Sequence, residues 1–150
     1  MFAGSGAVGI EALSRGAGKV VFADSSRDCC ELIRYNLKLL GTGGRNTYIL
    51  DADLSHISAG AALRNALRQV GELAADVIFA DPPYSYNGLS GLPRLLSEFD
   101  ICAAEGIFII EHGKKTDMPQ DAGMYAKYRE KNYGDSSLSF YQSTYDGFFV

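Results

Sequence analysis

The sequence has no tryptophan, two histidines and three cysteines, and each shortage removes a class of function. The odd cysteine count, with Cys29 and Cys30 adjacent and no CxxC spacing, fits neither a disulfide framework nor a zinc or thiol-redox site. The three therefore read as buried thiols. His56 and His112 stand at helical spacing from no other His or Cys, so no metal site is expected. Long apolar runs are missing as well: residues 20–23 and 107–110 are strand-length and far short of a membrane span. The N-terminus lacks a basic stretch followed by an apolar one and a cleavage site, so a cytoplasmic protein is expected. An excess of positive charge is absent too. With 14 basic and 18 acidic residues the chain carries a formal charge of −4. That argues against a protein that holds nucleic acid by bulk electrostatics, because phosphate binding normally needs a basic surface.

What remains is an ordinary globular composition. The 150 residues are 47% hydrophobic and 21% charged, with the signs mixed, enough for one sizeable core and too short for a second independent domain. A single domain over residues 1–150 and a monomer are expected. Strand-like and helix-like segments alternate, which is the pattern of a parallel sheet covered by helices on both faces. Met1-Phe2-Ala3 reads as the end of a buried strand, running into Gly4-Ser5-Gly6 and a helix over 8–14 that Gly16 ends. A strand over 19–23 ends at Asp24, and the next helix carries Cys29, Ile33, Leu37 and Leu40 on one apolar face before Gly41. A strand over 47–50 and a helix with the stripe Ala62, Leu63, Ala66, Leu67 and Val70 repeat the unit.

Residues 76–80 read as a fourth buried strand, stopped by two prolines that cannot continue a ladder. A helix through Leu92, Leu95, Leu96 and Phe99 and a strand over 107–111 follow. Residues 124–131 and 137–143 form an antiparallel ending joined through residues 132–135. The expected fold is thus α/β: a doubly wound, mainly parallel, Rossmann-like sheet with a C-terminal antiparallel hairpin. Ligands of such sheets sit at the carboxyl ends of the strands, where the two chemically unusual loops fall.

The first loop is Gly4-Ser5-Gly6-Ala7-Val8-Gly9, a GxGxxG placed after a strand and before a helix, with Asp24 ending the next strand. Glycines let a ligand approach the backbone, and a carboxylate accepts hydrogen bonds from two ribose hydroxyls. This fits any nucleoside-containing cofactor, whether a dinucleotide or S-adenosylmethionine. Asp51 and Asp53 end the third strand, and Asp53 is the favoured contact for an adenine amino group, with helix N-capping as the competing role.

The second loop, Asp81-Pro82-Pro83-Tyr84, points to S-adenosylmethionine. The amino group of a nucleic-acid base is a poor nucleophile because its lone pair is delocalised into the ring. Acceptors aimed at its N–H bonds, the Asp81 carboxylate and the Pro82 carbonyl, draw that nitrogen towards tetrahedral geometry, and proline holds the loop stiff. Tyr84 is placed to stack on a base that has left its helix. Lys127, Arg129 and Lys131 alternate, as residues sharing one strand face do, with Lys114 and Lys115 nearby, and offer a phosphate contact or a solvated face. Glu111 and His112 are left unassigned.

These residues resemble the bacterial small-subunit ribosomal RNA guanine-N(2)-methyltransferases, a family of the class I S-adenosylmethionine fold. The resemblance rests on Phe2-Ala3-Gly4-Ser5-Gly6-Ala7, the run from Gly9 to Ala17 (Gly-Ile-Glu-Ala-Leu-Ser-Arg-Gly-Ala), the DPPY loop and Tyr133-Gly134-Asp135-Ser136. It implies methylation of a guanine amino group in ribosomal RNA or an assembling small subunit. It implies cofactor binding by Phe2, Ala3, Gly4, Ser5, Gly6, Asp24 and Asp53, and base binding by Asp81, Pro82, Pro83 and Tyr84. Family members normally begin with a segment rich in Arg, Pro and Thr and a complete first strand, which this sequence lacks, and often have Glu in place of Asp24. Three other readings stay open: a DNA adenine or cytosine amino-methyltransferase, a dinucleotide-dependent oxidoreductase, and a non-catalytic remnant.

Overall fold

The computed structural model describes residues 1–56 and 58–144. They fall into two compact units, Met1–Leu73 and the residues from Ala74 onward. The first unit alternates α1 (Ala7–Ser14), β1 (Val20–Asp24), α2 (Arg27–Leu39), β2 (Thr47–Asp51) and α3 (Ser58–Gln69). Strands β1 and β2 pair in parallel, Val20 with Thr47 through Asp24 with Asp51. All three helices stop in the same way. Gly16, Gly41 and Gly71 take left-handed φ values of 98°, 64° and 78°. The amide after each glycine bonds back to the carbonyls of Ala12, Leu37 and Leu67, so orphan carbonyls of each last turn are satisfied. Ser26 caps the start of α2 by accepting from the Cys29 amide.

The core of this unit is Phe22 on β1 with Ile33 and Leu37 on α2, against which Ile10, Leu13, Val20 and Ile49 pack. Each such buried side chain contributes about 1.5–3 kcal/mol. The buried face of α2 runs through Cys30, Ile33 and Leu37, not through Cys29 and Leu40 as the sequence suggested. Leu40 is the helix C-cap and 56% exposed, because its chain is already leaving the helical path. Met1-Phe2-Ala3 is not a strand: Phe2 has a left-handed φ of 56°, although the Ala3 amide donates a ladder-like bond to the Ala23 carbonyl of β1.

The second unit carries β3 (Ala75–Ala80), a 3-10 turn (Leu89–Gly91), α4 (Leu92–Glu98), β4 (Cys102–Gly113), β5 (Asp121–Ala122), β6 (Tyr125–Tyr133) and β7 (Ser136–Ser143). Its sheet has the order β3-β4-β7-β6-β5. The β3–β4 pair is parallel and the pairs from β4 onward are antiparallel. The hairpin between β6 and β7 is closed by the two residues Gly134-Asp135, with Gly134 at φ 59°, as a tight hairpin requires. One sheet face is dry, formed by Phe108, Ile110 and His112 of β4 and Ser137, Ser139 and Tyr141 of β7.

Two expectations are corrected here. Strand β3 is buried only in its second half, since Asp76 and Val77 are exposed. Lys127, Arg129 and Lys131 do not share a face. Lys127 opposes Tyr141 and Arg129 opposes Phe140, so Tyr128 is an extra residue in β6, a β-bulge that resets the alternation. Lys127 turns onto the dry face, where its ammonium donates to the Met118 carbonyl at 3.2 Å and to Glu130 at 3.0 Å, while Arg129 and Lys131 turn onto the opposite one. The short strand β5 was not expected, being too brief for any periodicity to show.

Candidate active site

In the first unit the glycine loop turns sharply, with the Gly6 amide donating to the Ala3 carbonyl at 2.7 Å. Its three glycines have different reasons. Gly4 has φ 53° and open space where a Cβ would stand, so its backbone face is bare to an approaching ligand. Gly6, at φ 81°, would press a Cβ to 3.0 Å from Ile33, and Gly9 would drive one to 2.3 Å from the Phe22 ring, so these two let α1 lie close on the core. Ser5 offers its carbonyl to the Asn36 side chain at 3.0 Å. Asp24 ties the loop down: one carboxylate oxygen accepts from the Gly4 amide at 2.8 Å and the other from the Ser26 amide at 2.9 Å. Each oxygen keeps a lone pair for a further donor.

Asp53 lies exposed after β2. One of its oxygens accepts from the Ser55 amide at 2.9 Å and the Ser55 hydroxyl at 2.6 Å. These bonds, with a smaller contribution from His56, hold its carboxyl below the usual range, so it stays an acceptor. Phe2, Ala3, Gly4, Ser5, Gly6 and Asp24 are thus brought together, while Asp53 sits on a separate turn of the same unit. The open backbone at Gly4 beside a carboxylate with free lone pairs suits the ribose of a nucleoside cofactor.

In the second unit the DPPY loop leaves the end of β3. Pro82 is buried and Asp81, Pro83 and Tyr84 are exposed. The Tyr86 amide closes a turn onto the Pro83 carbonyl at 2.8 Å. Partial burial, and then the neighbouring Glu111 carboxylate, push the Asp81 carboxyl up from its ordinary value, which makes it a better proton acceptor than a free aspartate. The Tyr84 ring is 81% exposed yet anchored. Its hydroxyl is 3.1 Å from the Ser136 hydroxyl, and its ring edge lies 3.5 Å from where a Cβ on Gly113 would be. An exposed flat ring held at its far end is a platform for stacking.

Sequence reasoning missed Ser136 and Glu111 in these roles. The signal was there: Ala80 pairs with Ile110, so Asp81 falls beside Glu111, and Gly113 pairs with Ser136. Reading it required the strand register. His112, also unassigned, is buried, with ring nitrogens 3.0 Å from the Gly113 carbonyl and 2.8 Å from the Ser139 hydroxyl. It braces the end of β4 against β7. Among the described residues no three His, Cys, Asp or Glu side chains converge as a metal site would need, and no helix is long and apolar enough to cross a membrane.

An α/β fold with a glycine loop leading into its first helix and DPPY at a later strand end is the class I methyltransferase fold. The chain belongs to the family described as "Conserved hypothetical protein 95", which it matches over residues 1–142. It is 32% identical over 143 residues to "Putative rRNA methyltransferase YlbH" of Bacillus subtilis (strain 168), covering 95% of this chain and 73% of that one. It is 27% identical over 146 residues to "Ribosomal RNA small subunit methyltransferase D" of Escherichia coli (strain K12), covering 97% and 68%. Among solved structures it is similar to "Putative methyltransferase yhhF from Escherichia coli", with TM-score 0.75 and 26% identity, covering 95% of this chain and 73% of that one.

Proposed function

We infer that this protein is an S-adenosylmethionine-dependent methyltransferase that acts on the exocyclic amino group of a guanine in small-subunit ribosomal RNA, in the cytoplasm. The observation that carries the reading is the DPPY loop, with an accessible carboxylate of raised basicity next to a stiff proline pair and an anchored, outward-facing tyrosine. The names of the relatives, rRNA methyltransferases, supply the class of substrate.

The cofactor would be held by the backbone of Phe2, Ala3, Gly4, Ser5 and Gly6, by Asp24 at the ribose and by Asp53 at the adenine. When bound it supplies an electrophilic methyl group. The protein's own part is to prepare the nucleophile. Tyr84 stacks on the base and fixes its plane. Asp81 and the Pro82 carbonyl accept from the two amino hydrogens, which localises the lone pair on nitrogen as electrostatic preorganisation demands. Asp81 then takes the proton that the amino nitrogen sheds as its new C–N bond replaces the methyl–sulfur bond of the cofactor, which would leave as S-adenosylhomocysteine.

The test is transfer of a radiolabelled methyl group to 16S ribosomal RNA and to small-subunit particles, followed by mass spectrometry of the nucleosides. N(2)-methylguanosine that disappears with Asp81→Asn, while S-adenosylhomocysteine still binds, supports the reading. Label found only in DNA, or wild-type turnover by Asp81→Asn, would sink it.

A further inference from the structure

The bulge at Tyr128 does more than break an alternation. It places cationic and aromatic side chains together on the non-dry face of the β6–β7 hairpin. Residues opposed across an antiparallel ladder share a face. Arg129 opposes Phe140, Lys131 opposes Leu138 and Tyr133 opposes Ser136. Tyr128 joins them, its ring 6.3 Å from that of Phe140, and the Arg129 guanidinium lies 5.8 Å over the same ring. Tyr128 and Tyr133 are 51% and 57% exposed. Among the described residues neither Arg129 nor Lys131 has an acidic partner, whereas the acid of this strand, Glu130, points the other way and is neutralised by Lys127.

This strip continues into the DPPY loop. Tyr84 reaches the hairpin through Ser136, the residue opposite Tyr133, so Tyr84, Tyr133, Lys131 and Arg129 follow one another along a single face. At about 3.3 Å per residue the stretch from Tyr133 to Arg129 is about 13 Å long. Aromatic rings interleaved with unpaired cations are what a single nucleic-acid strand needs, with rings for base faces and cations for phosphates. A local basic strip also answers the objection raised by the net charge of −4, because contact is then made along one strand and not by the whole surface.

The geometry points to this face as the binding strip for unpaired RNA flanking the target base. The assignment rests on the methyltransferase reading for its choice of RNA, but not for its binding chemistry. It is tested with fluorescein-labelled decauridylate, which contains no guanine, by anisotropy on the full chain. Arg129→Gln with Lys131→Gln should weaken binding about tenfold and lower the slope of log affinity against log salt by about 1.4, at 0.7 per phosphate contact. Tyr133→Ala should cost about tenfold and Tyr133→Phe almost nothing, since the ring stacks without its hydroxyl. An RNA duplex of equal length should bind more weakly than the single strand. Three results would overturn the assignment: wild-type affinity in the double variant, an equal loss in Arg34→Gln with Lys38→Gln on the first unit, or tighter binding of the duplex. Retained methyl transfer with unaltered decauridylate binding in the variants would remove this strip and leave the methyltransferase reading standing. Decauridylate binding lost as described, with no methyl transfer by the wild type, would do the reverse.

Discussion

Gly9→Ala separates a glycine needed for packing from one needed for a ligand. The new Cβ would stand 2.3 Å from Cε1 and 2.9 Å from Cζ of Phe22, and 3.0 Å from Val20. Phe22 is 2% exposed and wedged against Ile33 and Leu37, so the ring cannot step aside without disturbing the core. Overpacking of this kind costs about 1–3 kcal/mol. A contact as close as 2.3 Å falls in the upper part of that range, about 2–3 kcal/mol, and helix propensity returns at most about 1 kcal/mol, which leaves a net loss of about 1–2 kcal/mol, or about 2–8 °C in melting temperature for a chain of this size. Urea unfolding followed by circular dichroism measures it. The partner variant Phe22→Leu gives the new methyl room, so Gly9→Ala should cost at least 1 kcal/mol less in that background than in the wild type. Additivity within about 0.5 kcal/mol, or a Gly9→Ala protein as stable as wild type, would refute the reasoning. Gly4→Ala, at φ 53° with nothing near its Cβ, should instead cost about 1–2 kcal/mol of backbone strain and show its larger effect in S-adenosylhomocysteine affinity.

Glu111→Gln removes a charge that raises the Asp81 pKa. Because Asp81 must be ionised to accept a proton, activity falls as pH drops through that pKa, and the acid limb of kcat/KM should move to lower pH; an unmoved limb would contradict the pairing. The raised value also means that the fold is favoured below the Asp81 pKa and loses that advantage as pH rises through it, so Asp81→Asn should be no less stable than wild type in urea at neutral pH. Ser136→Ala releases the Tyr84 hydroxyl and should raise KM for RNA about 2–10-fold, with Tyr84→Phe giving a similar, non-additive change in steady-state kinetics. Asp24→Ala strips acceptors from the Gly4 and Ser26 amides and should weaken S-adenosylhomocysteine binding at least tenfold by calorimetry, with partial recovery in Asp24→Glu.

The sequence made the alternation of strands and helices plain because glycines mark the helix ends and apolar periods mark the faces. It also showed both loops, since GxGxxG and DPPY are local patterns whose chemistry follows from residue type. What it hid was everything that depends on register. Whether Cys29 or Cys30 faces inward is a difference of one helical step of about 100°. Ser136 and Glu111 acquire roles only when Gly113 and Ala80 are matched to their neighbours. Lys127 looks like a surface cation until the extra residue Tyr128 is counted.

That extra residue makes the binding character of β6 a question of parity. Deleting Tyr128 would bring Lys127, opposite Tyr141, and Arg129, opposite Phe140, into direct succession, so the ladder would close up without its bulge and both flanks of the strand would keep their sides. Deleting Arg129 along with it would not be so mild: either Lys127 would swing out, deserting the Met118 carbonyl, or Lys131 would be driven into the layer that holds His112 and Tyr141. Losing one residue at the bulge should therefore be milder than losing two, the reverse of what holds in a regular strand, where a single deletion flips every side chain beyond it. In aligning relatives of this chain, the spacing between Tyr125 and the Gly134 turn carries more structural information than the identity of the residues that fill it.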